Sequence, residues 1–301
     1  MAETSTRCGF VALIGAPNAG KSTLLNQLVG AKVAIVSHKV QTTRALMRGI
    51  VMEDRTQIVF VDTPGIFQPK RRLDRAMVKT AWGGAADADV VGVLVDARKG
   101  LDDAALSIFE KLGEVRHPRF LILNKIDLVK REALLRLAQE ASARVPFEAV
   151  FMVSALSGDG VADMRGWLAA RLPEGPWLYP DDQLSDLPLR VLAAEITREK
   201  LFERLHEELP YASTVETDSW TVREDGSVRI EQTVFVERDS QKKIVIGKGG
   251  QTVKSISSAA RREIAEIAEA EVHLFLFVKV RENWGDDPER YREMGLEFPR
   301  G

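Results

Sequence analysis

The segment Gly15-Ala16-Pro17-Asn18-Ala19-Gly20-Lys21-Ser22 constrains this chain more than any other, because G-x-x-x-x-G-K-[ST] needs a strand before it and a helix after it. Both patterns are present. The apolar run Phe10–Ile14 precedes it, and Leu24, Leu25 and Leu28 share one face of the segment that follows. Glycine lets the backbone turn so that successive N–H groups face phosphate oxygens, and the helix N-terminus adds positive potential. Lys21 would neutralise β- and γ-phosphates, the Ser22 hydroxyl would bind Mg²⁺, and Thr23 completes the loop. The plain alternative is a glycine-rich turn with an exposed lysine.

The rest of the first half fits that demand. Short apolar runs, Phe10–Ile14, Gln57–Val61, Val90–Val95, Phe120–Leu123 and Ala149–Val153, read as strands buried on both faces. Amphipathic segments Leu101–Leu112, Lys130–Ala143 and Val161–Leu172 lie between them. This alternation predicts an α/β domain over 1–172, a mostly parallel sheet with helices on both faces. Leu46–Met52, a short turn before Gln57–Val61, predicts an antiparallel edge pair. Residues 173–186, rich in Pro and Asp, predict a linker, since Pro173, Pro176 and Pro180 prevent a regular helix.

The second half has another rhythm. Leu189–Leu209 reads as a helix. Ser213–Val222 and Val228–Val236 alternate around Glu224-Asp225-Gly226-Ser227, a hairpin signal. A basic-apolar helix, the glycine cluster Gly247-Lys248-Gly249-Gly250, a second helix and the strand Val272–Val280 follow. The expected order is helix, two strands, two helices, strand over 187–285, with 286–301 as a tail.

Composition removes other classes. The 42 basic and 44 acidic residues nearly cancel, so no global field draws the chain to nucleic acid or an anionic membrane. Cys8 is alone and cannot form an internal disulfide. No apolar run approaches the ~20 residues of a membrane span. A polar start argues against a signal peptide, and the expectation is a cytoplasmic protein.

Three further motifs each follow a strand. Asp62-Thr63-Pro64-Gly65 follows Ile58–Val61, where Asp62 can reach the metal and the Gly65 N–H can bond a γ-phosphate; alone it reads as a β-turn. Asn124-Lys125-Ile126-Asp127 follows Phe120–Leu123. One carboxylate, Asp127, accepts from guanine N1–H and N2 together and repels adenine N1. Asn124 would hold neighbouring loops and the Lys125 stem would cover the base. Ser154-Ala155-Leu156 follows Ala149–Val153, and the Ala155 N–H could bond guanine O6.

Four motifs in this order resemble the translation-factor-like small GTPases. That resemblance implies GTP and GDP as ligands, Mg²⁺ as the metal, and a mobile threonine between the first two motifs. Thr42 and Thr43 lie in that window, with Thr43 favoured, so Ser22, Thr43 and Asp62 form the expected metal set and Lys21, Thr43, Gly65 and Asn18 the expected catalytic set. Ile66 stands where many relatives place a catalytic Gln, and it cannot orient water. Relatives with a hydrophobic residue there carry Asn in G-x-P-N-x-G-K-S, as Asn18 does, and use it to ligate K⁺. The resemblance therefore implies slow, K⁺-stimulated hydrolysis; an arginine supplied by a partner is the other option.

In the second half, Ile246-Gly247-Lys248-Gly249-Gly250 resembles the G-x-x-G loop of a type II KH domain, where small residues let an RNA backbone approach. Ser240 to Arg262 carries Lys242, Lys243, Lys248, Lys254, Arg261 and Arg262 and no acid, inside an otherwise net acidic half. Ile244, Val245, Ile246, Val253 and Ile256 read mainly as core. Together with GAPNAGKSTLLN, QTTR, ITREKLFERLHEELPY and VHLFLFVKVRENWGDD, these motifs resemble the Era family over nearly the whole chain. The family implies binding of the 3′ end of 16S rRNA and a role in maturation of the 30S subunit; oligomeric state stays open, the balanced composition permits a monomer, and no stable oligomer is required. The alternative is a GTPase acting at a membrane, peripherally on its inner face, or on a protein partner, with the second half as a docking module.

Overall fold

In a computed structural model, residues 5–299 are described, and they divide into two compact units. Residues 5–34, 43–186 and 294–299 form the first; residues 35–42 and 187–293 form the second.

The first unit is built on a six-stranded sheet. Strands β1 (Arg7–Gly15), β2 (Met47–Glu53), β3 (Thr56–Asp62), β4 (Val90–Asp96), β5 (Arg119–Asn124) and β6 (Val150–Val153) lie in the order β2-β3-β1-β4-β5-β6. All neighbours are parallel except β2 and β3. Every residue of β3 and β4 is buried, which is why those runs carry no polar alternation. Helices α1 (Lys21–Val29), α2 (Arg72–Asp87), α3 (Asp103–Lys111), α4 (Arg131–Arg144) and α5 (Val161–Ala169) complete the unit. The chain leaves β1 toward β3 on one side and reaches β4 on the other, so β1 is the switch point where α/β sheets bind ligands at strand carboxyl ends.

Helix α2 is absent from the segments named from sequence. Its apolar stripe is made of small side chains, Ala76, Ala81 and Ala85 beside Leu73 and Met77, and Gly83-Gly84 interrupts it. Asp74 starts it by accepting from the N–H groups of Lys70 and Arg71 at 3.0 and 2.9 Å.

Residues 173–186, expected as a linker, are strapped to the first unit. The Ile50 N–H donates to Leu184 O at 2.9 Å, and Gly49 bridges Ser185. Gln57, fully buried, accepts from the N–H groups of Leu178 and Tyr179 at 2.9 and 3.0 Å and donates to Tyr179 O at 2.8 Å. The prolines that forbid helix leave an extended segment whose free backbone groups find the sheet edge and this one side chain.

The second unit is a sheet in the order β7-β8-β9, with helices on one face: α6 (Leu189–Arg204), β7 (Ser213–Val222), β8 (Val228–Val236), α7 (Asp239–Ile246), α8 (Gln251–Ala268) and β9 (Val272–Val280). Strands β7 and β8 are antiparallel around Gly226 (φ 79°), and β9 runs parallel to β8. Leu192, Ile196, Ile230, Ile256 and Ile264 fill the space between helices and sheet. The unit continues past residue 285. Trp284 Nε1 donates to Ala212 O at 3.0 Å, and in α9 (Pro288–Glu293) Arg290 pairs with Glu216 and lies over the Phe235 ring. Strand β9, apolar at most of its positions, leaves Phe275 and Phe277 exposed.

Gln57→Leu removes three hydrogen bonds to a segment that water can reach. It should lower stability by about 1–2 kcal/mol in urea unfolding and open residues 174–183 to limited proteolysis.

Candidate nucleotide site and candidate nucleic-acid loop

The carboxyl ends of four strands bring the first-half motifs together. Gly15 ends β1 and pairs with Leu94 of β4; Asp62 ends β3, Asn124 ends β5, and Ser154 follows β6. Lys21 is buried at the start of α1, and its Nζ donates to Gly15 O and Ala16 O at 3.0 and 3.1 Å. Gly20 has φ 100°, and a Cβ there would lie 2.3 Å from Asn124 Nδ2. Glycine is thus required both for the turn and for the approach of the Asn124 loop. Asn18 is exposed at the loop tip with φ 63°.

Three oxygens cluster at the end of β3. Ser22 Oγ donates to Asp62 Oδ2 at 2.6 Å and lies 2.9 Å from Thr43 Oγ1, which is 3.4 Å from Asp62 Oδ2. Thr42 turns elsewhere, toward Ser37 Oγ and Lys39 O. Asp62 is wholly buried, and its Oδ1 has no hydrogen-bond partner among the described residues. Burial raises its carboxyl from the ordinary 3.8 to about 6, against the pull of Lys21. Burial also lowers the Lys21 ammonium to about 8. Two hydroxyls and an under-satisfied carboxylate are hard oxygen donors, a set that fits Mg²⁺.

Ile66 follows Gly65 and points into the core with Ile14, Val93 and Leu121, while its N–H donates to Gly15 O at 3.0 Å. The side chain after D-x-x-G is therefore packing material. Gly65 lies close against Pro17.

On the base side, Asn124 is 1% exposed. Its Nδ2 donates to Ala19 O at 2.8 Å, and its Oδ1 accepts from the N–H groups of Ala155 and Lys125 at 3.0 and 2.8 Å. Lys125 has φ 68°, and its Nζ donates to Asn18 O at 2.6 Å and Asp96 Oδ2 at 2.7 Å. Asp127 stands exposed in the single helical turn after it, and Leu156 is 80% exposed beside buried Ser154 and Ala155. Asp96 was not among the residues singled out from sequence. Its signal resembles that of Asp62, an acid ending an all-apolar strand. Burial alone would raise its carboxyl, but hydrogen bonds from Arg98 and Lys125 hold it at about 2.

In the second unit, Gly247 joins α7 to the turn Lys248–Gly250 that starts α8. Gly247 (φ 73°, ψ 173°) takes a conformation reserved for glycine, and a Cβ there would strike Thr252 Oγ1 at 2.2 Å. Gly249 and Gly250 also have positive φ, with open space where a Cβ would be. Lys248 and Lys254 are exposed, and Lys242 and Ile246 are half-buried. Val245 and Ile256 are core, but Ile244, expected mainly as core, is 57% exposed because it falls on the outer side of the short α7.

A family model described as a 50S ribosome-binding GTPase matches residues 10–125, and one described as a KH domain matches residues 208–285. GTPase Era of Afipia carboxidovorans is 72% identical over 295 residues, covering 98% of this chain and 96% of that protein. The chain belongs to the Era family of GTPases. GTPase Era of Sinorhizobium medicae is 68% identical over 99% of this chain and 96% of its own length. Among solved structures, an Aquifex aeolicus Era variant bound to GDP.AlF4⁻ matches with TM-score 0.91 at 36% identity, covering 96% of this chain and 99% of that one. Era in complex with MgGDPNP and nucleotides 1506–1542 of 16S ribosomal RNA matches equally well in all four measures. The fold is thus that of Era: an α/β P-loop GTPase domain followed by a type II KH domain.

With Asp62 in the metal set, Mg²⁺ binding should depend on pH. A proton and Mg²⁺ compete for it, so the Mg²⁺-dependent slowing of nucleotide release should weaken as pH falls through about 6, by about tenfold at pH 5. Release of a fluorescent GDP analogue, with and without Mg²⁺, measures this, and Asp62→Asn should abolish the dependence. Without metal the sign reverses. The folded chain holds this proton more tightly than the unfolded one, so the group's contribution to stability falls as pH rises from about 4 to about 6. Gly20→Ala should weaken GTP and GDP alike by more than about tenfold, read by titration calorimetry, because its Cβ displaces the Asn124 amide.

Proposed function

We propose that this chain hydrolyses GTP to GDP and phosphate as a switch, binds the 3′ end of 16S rRNA, and acts in maturation of the 30S ribosomal subunit. One observation carries the reading: the chain matches, over 96% of its length, an Era structure in complex with MgGDPNP and 16S rRNA nucleotides.

Residues 15–23 cradle the phosphates, with the Lys21 ammonium beside them. Ser22, Thr43 and Asp62 hold Mg²⁺, which neutralises phosphate charge when bound. The Gly65 N–H meets the γ-phosphate beside Thr63 and Pro64. Asp127 reads the guanine edge, Lys125 covers the ring, and Ala155 between Ser154 and Leu156 supplies an N–H. Burial of Ile66 leaves no side chain after D-x-x-G to orient water. That supports slow intrinsic turnover and a role for Asn18 with K⁺.

Lys242, Ile246, Gly247, Lys248, Gly249, Gly250 and Lys254 receive the RNA backbone. The basic strip gives this net acidic half a local site rather than a broad surface. Coupling runs through residues 35–42. Ile35 is buried with Leu192 and Ile196 of α6, the Val36 N–H donates to Glu199 at 2.7 Å, and Arg198 donates to Thr42 O at 2.5 Å. The peptide from Thr42 to Thr43 therefore joins a segment held by α6 to a metal-site oxygen. Movement of Thr43 on hydrolysis would pull on that segment.

The test is binding of a labelled oligonucleotide carrying the 16S 3′ end, in GTP-analogue and GDP forms. Tighter binding with the GTP analogue supports the switch, and equal binding in both forms sinks it. Gly249→Asp should cost RNA affinity about tenfold or more through repulsion of phosphate. Turnover should rise severalfold in K⁺ over Na⁺, and Asn18→Ala should remove the difference.

A further inference from the structure

We infer that Asp96 is a positioning residue of the guanine site: it holds Lys125 extended across the rim so that the lysine's aliphatic stem lies where the base is covered. The inference rests on the guanine reading above and adds a residue that no motif contains.

Asp96 ends β4 and stands opposite Asn124 in the parallel register, with the Ala97 N–H donating to Asn124 O at 2.9 Å. Its carboxylate side chain is 5% exposed. Oδ2 accepts from Lys125 Nζ at 2.7 Å and from Arg98 Nη2 at 2.8 Å, while Oδ1 accepts from Arg98 Nε and the Arg98 N–H, each at 3.1 Å. Arg98 therefore closes the outer side of the carboxylate, and Lys125 takes its inner side. The Lys125 ammonium has a second acceptor, Asn18 O at 2.6 Å on the phosphate loop.

A lysine side chain is flexible, and ordering it on ligand binding costs rotamer entropy. Here both ends are fixed beforehand. The backbone is held at φ 68° with its N–H on Asn124, and the ammonium sits between two acceptors. Four methylenes stretched between fixed ends make a preorganised apolar strip, so binding need not order them. A carboxylate so little exposed is also poorly screened by salt. Asp96 is not itself placed to touch the base edge, which Asp127 reads. Its influence should fall on how tightly any purine nucleotide is held, not on which purine is preferred.

The experiment is a double-mutant cycle on the full chain with Asp96→Ala, Lys125→Met and the pair, reading dissociation rates of fluorescent GDP and GTP analogues and competition by GTP and ITP. Inosine lacks the N2 amine that Asp127 reads. The expected result is a roughly tenfold faster dissociation in each single variant, a double variant no faster than Lys125→Met, and an unchanged GTP-to-ITP ratio. Asp96→Asn, which keeps a carbonyl acceptor but no charge, should fall between wild type and Asp96→Ala. Additive losses, unchanged dissociation in Asp96→Ala, or a collapsed GTP-to-ITP ratio with a lowered melting temperature would each overturn the assignment, the last by showing a merely structural role. Wild-type protein without preference for GTP over ITP would instead sink the guanine reading beneath it.

Discussion

The nucleotide site depends on one buried side chain, the amide of Asn124. With three hydrogen bonds it ties the phosphate loop at Ala19, the loop after β6 at Ala155, and its own successor Lys125. A buried amide has strict demands, since each unmet donor or acceptor costs a desolvation penalty. Those demands are met because β5 ends level with β6 and two residues beyond the level of Gly15 in β1, an offset that the parallel register supplies. Gly20 follows from the same constraint, because any side chain there would occupy the place of the Asn124 Nδ2. The phosphate end and the base end are thus one cooperative arrangement, and disturbing either displaces the other.

A second tension lies in the buried charges. Lys21 and Asp62 are both taken out of water, and each is pushed toward its neutral form while the other partly resists. Such a pair is poor evidence for stability, since desolvation offsets attraction. It is better understood as a site prepared for charges that arrive with the ligand: phosphates for the ammonium, a divalent cation for the carboxylate. Asp96 shows the opposite solution. It too ends a buried strand, but two cationic partners complete it, and its carboxyl sits at about 2. One strand-end acid is left under-satisfied, and the other is completed by an arginine and a lysine.

Much of this was legible in the sequence, for a physical reason. Strands buried on both faces must be continuously apolar, and the five runs in the first half all became strands. The hairpin strands β7 and β8 kept their expected bounds because alternation and an Asp-Gly turn are local signals. The less legible features are those fixed by long-range partners. Helix α2 packs with alanines and glycines, which give a weak stripe. Residues 173–186 look like a linker by composition, yet Gln57, more than a hundred positions away, organises them. Residues 35–42 group with the second unit because Ile35 fits its core, a fact invisible to local pattern. Asp96 has no motif of its own. Only its register opposite Asn124 reveals a role.

Net charge is a poor guide to the second unit for the same reason. Recognition of an RNA backbone depends on the potential along the few ångströms where phosphates pass, not on the sum over a domain. Between Ser240 and Arg262 there are six cations and no anion, and the turn they flank carries three glycines, Gly249 exposed and Gly247 and Gly250 half-buried. Acid elsewhere then limits non-specific binding, since a duplex or stray strand laid outside this strip meets repulsion. A narrow site of this kind sacrifices affinity per contact for discrimination.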